Sequence, residues 1–584
     1  METVLESDIM KEISYVNLMR NGRKDMSGLP VSRFALLGDC ATQHIAASIR
    51  GYAYEMGQNF VMFDADYDQI DAQLMDENSE LFAFAPETVL ICHCTEKLYE
   101  RYTRASASDR VSFAETEAEK IAAEWSRVNS HSKADILSFL FLTEDDGVFG
   151  AYAYREETSF PYQLRKLNFL LTEKCRAFGN VRLIDLDPLR AKMGSDAFCD
   201  PKMYMIAKMP LSTAALPLVA SRVVDAVMAR RGHIHKCAVL DLDNTLWGGV
   251  IGDDGLNGIE LGDYKQGHAF TEFQTWLKEL KNRGIMLAVC SKNDESNARE
   301  PFEKHPGMVL RLEDFSAFVA NWENKADNIR RIQKELNIGF DSMVFFDDNP
   351  FERQLVRTML PEVEVPELPE DPADYVRFVR EQNLFDTASF SEEDRVRTER
   401  YRAEKSRTEL SAALENYDDY LKALGMKAVC APFDPFHIPR IAQLTQRSNQ
   451  FNLRTVRYSE EETAAIAADD RYITRYYTLR DRFGEHGLIA VVILEKRDDC
   501  LFVNEWLMSC RVLKRGMEQF IADSVISAAK DAGFSRVVGE YIPTAKNAMV
   551  KDLYENMGFK PLGNGLYEAD TDTYVNHEIY ITEE

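Results

Sequence analysis

Three short apolar runs in the middle of the chain each stop on polar residues. HKCAVLDLD stops at Asp241 and Asp243, IMLAVCS at Ser291, and SMVFFDDNP at Asp347 and Asp348. Helical patterns separate them. FTEFQTWLKELKNRG is amphipathic and ends at Gly284, and NKADNIRRIQKELNIG sets Ile329, Ile332 and Leu336 on one face and stops at Gly339. Strands that alternate with helices predict an α/β fold with a parallel sheet. In open sheets of this kind, ligands bind outside the carboxyl ends of the strands. All of these polar residues fall there.

Asp241 and Asp243 need an explanation, because carboxylates are costly to crowd at the end of a buried element. A calcium loop counted from Asp241 would need Gly at its sixth position and Glu at its twelfth, where the chain has Leu246 and Gly252. A solvated Asp/Asn turn would suffice for Asp-x-Asp alone. The other strand ends favour phosphoryl transfer. Asp241 would be the nucleophile, and Asp243 the general acid and then the base. Ser291 would hold a phosphate oxygen, and Lys325 would supply a cation at a helix start. Asp241, Asp243, Asp347 and Asp348 would share a magnesium ion, which lets carboxylates coexist near phosphate.

Asp-x-Asp, Ser, Lys and Asp-Asp in this order resemble the haloacid dehalogenase (HAD) signature over residues 236 to 358. The stretches DLDNTLWGGVIGDDG, LEDFSAFVANWENKADNIRRIQKELNIG and FFDDNPFER are more narrowly similar to the FkbH-like proteins, HAD subfamily IIIC. That resemblance implies phosphate removal from a small phosphorylated acid, 1,3-bisphosphoglycerate in the family. It also implies loading of the acyl unit onto an acyl carrier protein as a thioester. HAD enzymes usually carry a cap over the site. The intervals from Thr245 to Glu272 and from Ser291 to Lys325 are too short to house one, so the site should be open or covered by other domains.

The last block, from about residue 426, resembles the GNAT acyltransferase fold through VNEWLMSCRV, VLKRGMEQ and a segment ending ENMGFK. GNAT enzymes hold a coenzyme A pyrophosphate on a loop that opens a helix. Arg511 and Gly516 fit the outer positions of that loop, and Lys514 replaces its middle glycine. Coenzyme A or a phosphopantetheine arm is the implied ligand. Cys510 adjoins the loop and could carry an acyl group as a thioester; a buried strand cysteine is the plainer account. His486 is its candidate acid/base partner, and Asp481 fits ordinary turn chemistry better.

The first block sets FALLG, NFVMFDA, TVLICHC, ILSFLFL and VRLIDLD between helical patterns, again predicting a parallel sheet. LLGDCATQH resembles the Gly-Asp-Ser block of SGNH hydrolases with Cys40 in place of Ser. The Asp-x-x-His pair of that fold is not matched: Asp200 is followed at the third position by Met203. A non-hydrolytic scaffold or docking unit is expected. Cys92, His93 and Cys94 suggest zinc, but CxC without a second pair at finger-like spacing favours a buried strand.

The expected units are an SGNH-like domain (1–225), a HAD domain (226–370), a helical connector (371–425) and a GNAT-like domain (426–584). A formal net charge of −27 argues against nucleic acid or an anionic membrane as a main partner. No signal-peptide pattern or membrane-length apolar run is present, so a cytoplasmic enzyme with reduced thiols is expected. The alternatives are a plain phosphatase whose flanking domains only recognise substrate, and a non-catalytic scaffold.

Overall fold

A computed structural model describes residues 14–387, 416–448, 451–509, 512–544 and 547–584, with a few positions between 387 and 416. The chain is multidomain α/β and contains three sheets. The first comprises β1 (Val31–Gly38), β2 (Asn59–Asp64), β3 (Thr88–Cys92), β4 (Asp135–Phe139) and β5 (Val181–Ile184), all parallel, in the order β2-β1-β3-β4-β5. Every strand lies on one of the five apolar runs of the first block. Helices Gln43–Glu55 and Leu216–Arg230 pack on one face; Phe113–His131 and Phe160–Cys175 pack on the other.

The middle sheet is also wholly parallel: β6 (Cys237–Leu240), β7 (Met286–Ser291), β8 (Phe315–Ala320) and β9 (Met343–Phe346), in the order β8-β7-β6-β9. Its strands are almost entirely buried, as parallel strands covered on both faces must be. Helix Gln266–Asn282 covers one face through Phe270, Phe273 and Leu277. Tyr375 and Val379, on helix Tyr375–Gln382, join the same core. The opposite face receives Ile329, Ile332 and Leu336, the stripe read from the sequence.

The third sheet is mixed: β10 (Met426–Ala431), β11 (Tyr472–Asp481), β12 (Gly484–Lys496), β13 (Leu501–Met508), β14 (Arg536–Glu540), β15 (Lys560–Gly563), β16 (Leu566–Asp570) and β17 (Ile581–Glu583). β10 to β13 form an antiparallel run. β13 and β14 are parallel and joined through helix Met517–Asp531. Their pairing covers only Leu501–Val503 against Val537–Gly539. Beyond it, Phe451–Leu453 lies between the two strands: the Leu453 amide donates to the Trp506 carbonyl and the Ile542 amide to the Leu453 carbonyl.

Candidate active site

β9 pairs with β6 as the edge strand of the middle sheet, so the residues just past their ends meet. The Asp241 amide donates to the Phe346 carbonyl at 3.0 Å. Ser291 closes β7 on the other side of β6 and is buried. Lys325 opens helix Lys325–Leu336, whose first turn is capped by the Asn324 side chain. Its buried ammonium lies 2.8 Å from Asp241 Oδ2 and 2.5 Å from Asp347 Oδ2. One cation thus binds two carboxylates in a region where an unpaired charge would be very costly.

Carboxylate oxygens of Asp241, Asp347 and Asp348 lie within 4.8 Å of one another. Burial, and then the Asp241 charge, push the Asp347 and Asp348 carboxyls above their ordinary range. Three convergent hard oxygens that repel each other suit a divalent cation such as magnesium. The Asp243 side chain stands outside this set. Its Oδ1 accepts from Trp247 Nε1 at 2.9 Å and from the Ile251 amide at 3.0 Å, and its Oδ2 accepts from Asn293 Nδ2 at 3.1 Å. The carboxylates that converge are therefore three rather than the expected four, because the Asp243 side chain is turned toward Trp247, Ile251 and Asn293. Burial lifts the Asp243 carboxyl, which suits an acid/base group beside Asp241.

Trp247, Asn293 and Tyr375 were not singled out from the sequence. Trp247 and Asn293 sit close to the motifs they support. Tyr375, whose hydroxyl donates to the Asn244 carbonyl at 3.1 Å, comes from a distant helix that only packing brings in. Asn244 itself holds the left-handed turn (φ 54°) between Asp243 and Thr245.

No inserted domain roofs the site. Asp243 leads through the four-residue helix Ile251–Asp254 to helix Gln266–Asn282. Ser291 leads through one helix, one short 3-10 turn and β8 to Lys325. Trp322, just past β8, is 71% exposed, and Phe351, just past Asp348, is 70% exposed. Neither flanking domain covers them.

Residues 33–228 match the model of the FkbH N-terminal domain. The solved N-terminal part of protein BF1531 from Bacteroides fragilis, described as containing a phosphatase domain complexed with Mg, is 44% identical. The alignment covers 65% of this chain and 100% of that one, with a TM-score of 0.62. A HAD-like hydrolase superfamily protein from Schizosaccharomyces pombe is 29% identical over 147 residues, 22% of this chain and 85% of that one. The chain belongs to the same family as that Bacteroides fragilis protein, and its first part carries the FkbH N-terminal domain.

The C-terminal part of the chain places the other predicted residues less completely. Cys510 and Arg511 lie outside the described residues. Lys514 takes the left-handed conformation a glycine would favour (φ 61°), and Gly516 follows at φ 90°. The loop thus keeps a glycine-like path despite the lysine. Its Lys514 amide, however, donates to Glu518 Oε1 at 2.9 Å, so the chain caps its own helix terminus. A cavity of about 650 Å³ opens beside the loop, lined by Lys514, Arg515, Gly516, Gln519, Tyr417 and Asn556 among others.

His486 is largely buried. Its Nε2 lies 3.1 Å from Asp481 and 3.3 Å from Arg515 Nη1. Asp481 is also held by Arg407 through two hydrogen bonds of 2.6 and 2.8 Å, which makes it a structural anchor. Burial lowers the His486 pKa, and Arg407 and Arg515 oppose its charged form, although Asp481 pulls the other way.

Sequence reasoning missed Glu505 on β13. It is fully buried, and no hydrogen bond of ordinary geometry reaches either carboxylate oxygen among the described residues. Burial pushes its carboxyl up to about 8, against the pull of Arg454. A carboxylate inside the mostly apolar LFVNEWLM was the available signal.

In the N-terminal domain, Cys40 is buried against Cys92, Sγ to Sγ 3.8 Å. That thiol contact and burial raise its pKa. His93 is clamped between Asp39 (3.1 Å) and Glu124 (2.8 Å). Asp200 caps helix Pro201–Ala207 by accepting from the Met203 amide.

Proposed function

We propose that the chain is a magnesium-dependent phosphatase and acyl transferase that loads a small acid onto a carrier protein. The observation that carries the phosphatase half is Lys325 bridging Asp241 and Asp347 beneath an open mouth. Asp241 Oδ attacks phosphorus, the ester P–O bond breaks, and Asp243 protonates the departing oxygen. Asp243 then takes a proton from the water that cleaves the aspartyl phosphate, returning Asp241 and releasing inorganic phosphate. Ser291 and Lys325 hold the phosphoryl oxygens. Asp241, Asp347 and Asp348 would hold magnesium, which supplies charge neutralisation for phosphate and carboxylates together.

Attack at phosphorus cannot make a thioester, because it leaves a free carboxylate. With 1,3-bisphosphoglycerate, the substrate that the family resemblance suggests, two different bonds must therefore be broken. A thiol gives up its proton to solvent and attacks the acyl carbon, the C–O bond to the phosphate group breaks, and that group departs as inorganic phosphate. Asp241 removes the remaining phosphate ester. The thiol is Cys510 or the carrier's phosphopantetheine arm, and the GNAT-like domain is the place of transfer. The SGNH-like N-terminal domain serves as a docking unit. No helix among the described residues is long and apolar enough to cross a membrane; a cytoplasmic site of action is part of this proposal.

A plain phosphatase is the second reading, favoured by two observations. Phe451–Leu453 fills the opening between β13 and β14, and Glu518 occupies the Lys514 amide, so a pantetheine arm would meet occupied ground. Incubation of the chain with 1,3-bisphosphoglycerate and candidate carriers, followed by mass spectrometry, separates the two. An acyl adduct on a carrier or on Cys510 supports transfer. Phosphate release without any adduct supports the plain phosphatase. Loss of the ester phosphate that persists in Asp241→Asn overturns both.

A further inference from the structure

The N-terminal domain holds a buried cluster that phosphate chemistry does not use. The order β2-β1-β3-β4-β5 reverses direction between β1 and β3, and the crevice at such a reversal is where open parallel sheets bind ligands. Gly38 ends β1 and Cys92 ends β3. Asp39, Cys40, Cys92, His93 and Cys94 therefore all stand at that crevice. The Asp39 carboxylate and the thiols of Cys40 and Cys94 place ligand atoms within 4.8 Å of one another. Cys92 Sγ lies 3.8 Å from Cys40 Sγ. The Ala41 amide donates to the Lys208 carbonyl at 2.8 Å, and Tyr204 packs with Cys40 and Cys94, closing the crevice from outside.

Core packing explains buried cysteines but not their companions. Asp39 accepts from the Cys94 amide at 2.8 Å and faces His93 Nδ1 at 3.1 Å and Arg101 Nη1 at 3.5 Å. Glu124 is buried, and its Oε1 has no partner among the described residues. A hydrolytic nucleophile does not explain the cluster either. Both His93 ring nitrogens are engaged by carboxylates, so neither is free to take a proton from Cys40.

We propose that this crevice binds a thiophilic divalent cation of the zinc type through Cys40, Cys94 and Asp39, with Cys92 as the fourth ligand. Two thiolates on a tetrahedral zinc, each at about 2.3 Å, stand about 3.8 Å apart. The Cys40–Cys92 separation already has that value, but the Cys92 thiol is not among the ligand atoms that converge within 4.8 Å and must turn inward to complete the set. His93, Arg101 and the Cys94 amide orient Asp39, as outer-shell donors do for metal-bound carboxylates. Each cysteine loses its S–H proton to solvent as its sulfur–metal bond forms, and no oxidant is involved. Spacing could not reveal the set, because Cys40 reaches the CxC pair only through the pairing of β1 with β3.

The test is titration of the reduced full-length chain with Co²⁺ as the probe for zinc. A sulfur-to-cobalt charge-transfer band that saturates at one equivalent and is displaced by Zn²⁺ is expected. The phosphatase site offers oxygen ligands only, so excess Mg²⁺ and Asp241→Asn should leave the band intact. Cys40→Ser and Cys94→Ser should each abolish it, and Cys92→Ser should weaken Co²⁺ binding about tenfold or more. Circular dichroism checks that each variant is folded, and the wild-type titration decides even if one is not. Cobalt binding without a charge-transfer band overturns the proposal. So does a Cys40 disulfide to Cys92 or Cys94 in chain purified under reducing conditions.

Discussion

Lys325 concentrates the electrostatics of the phosphatase site in one atom. Its Nζ contacts Asp241 and Asp347, both buried. Lys325→Ala would leave two carboxylates without their cation, a change that costs about 3–5 kcal/mol when a buried pair is broken. The loss should show as faster amide exchange in β6 and β9, and added Mg²⁺ should restore part of the protection. Glu505 gives the opposite kind of test. Its carboxyl is lifted by burial to about 8, whereas an unfolded Glu titrates near about 4.3. The folded state holds the proton across that window, so stability is greatest below it and declines as pH rises toward about 8. Glu505→Gln should flatten that decline in urea denaturation. If Glu505 is also a base for acyl transfer, wild-type transfer should rise through the same pH range and the Gln variant should show no such limb.

At the scale of the element, Gly539 on β14 couples sheet to helix. A Cβ there would come within 2.2–2.4 Å of the Tyr554 ring, on helix Leu553–Asn556. Gly539→Ala should cost about 1–3 kcal/mol through overpacking. It should depress acyl transfer and leave hydrolysis of a simple phosphate monoester unchanged, read from the two assays on the same sample. Elements were also the most legible level of the sequence. The five apolar runs of the first block became β1 to β5, because parallel strands covered on both faces need continuous apolar side chains. Asp241, Ser291, Lys325 and Asp347 were equally plain, since each stands at a strand end or helix start. Asp243 as a metal ligand was not settled by spacing. The direction of its carboxylate depends on Trp247, Ile251 and Asn293, and a pattern of residue types carries no orientations. Glu505 is not legible because burial without partners is a property of packing, and the Arg515 contact to His486 is likewise made only by the fold.

At the scale of the molecule, one site in the middle sheet is open while the crevice of the first sheet and the split of the third are each closed by the chain's own backbone. Lys208 and Tyr204 shut the first, and Phe451–Leu453 the third. Trp322 and Phe351, close in sequence to the residues of the phosphatase site, are largely exposed. Many enzymes with a moving cover are limited by its opening or by product escape, steps that take microseconds to milliseconds. A mouth without a cover has no such step. Its turnover on small phosphate esters should therefore be indifferent to added viscogen, with kcat in sucrose or glycerol unchanged once substrate is saturating. The timing of the reaction would then belong wholly to bond-making at Asp241, and any pause in the cycle would have to be imposed from outside by whatever large partner comes to sit on the rim.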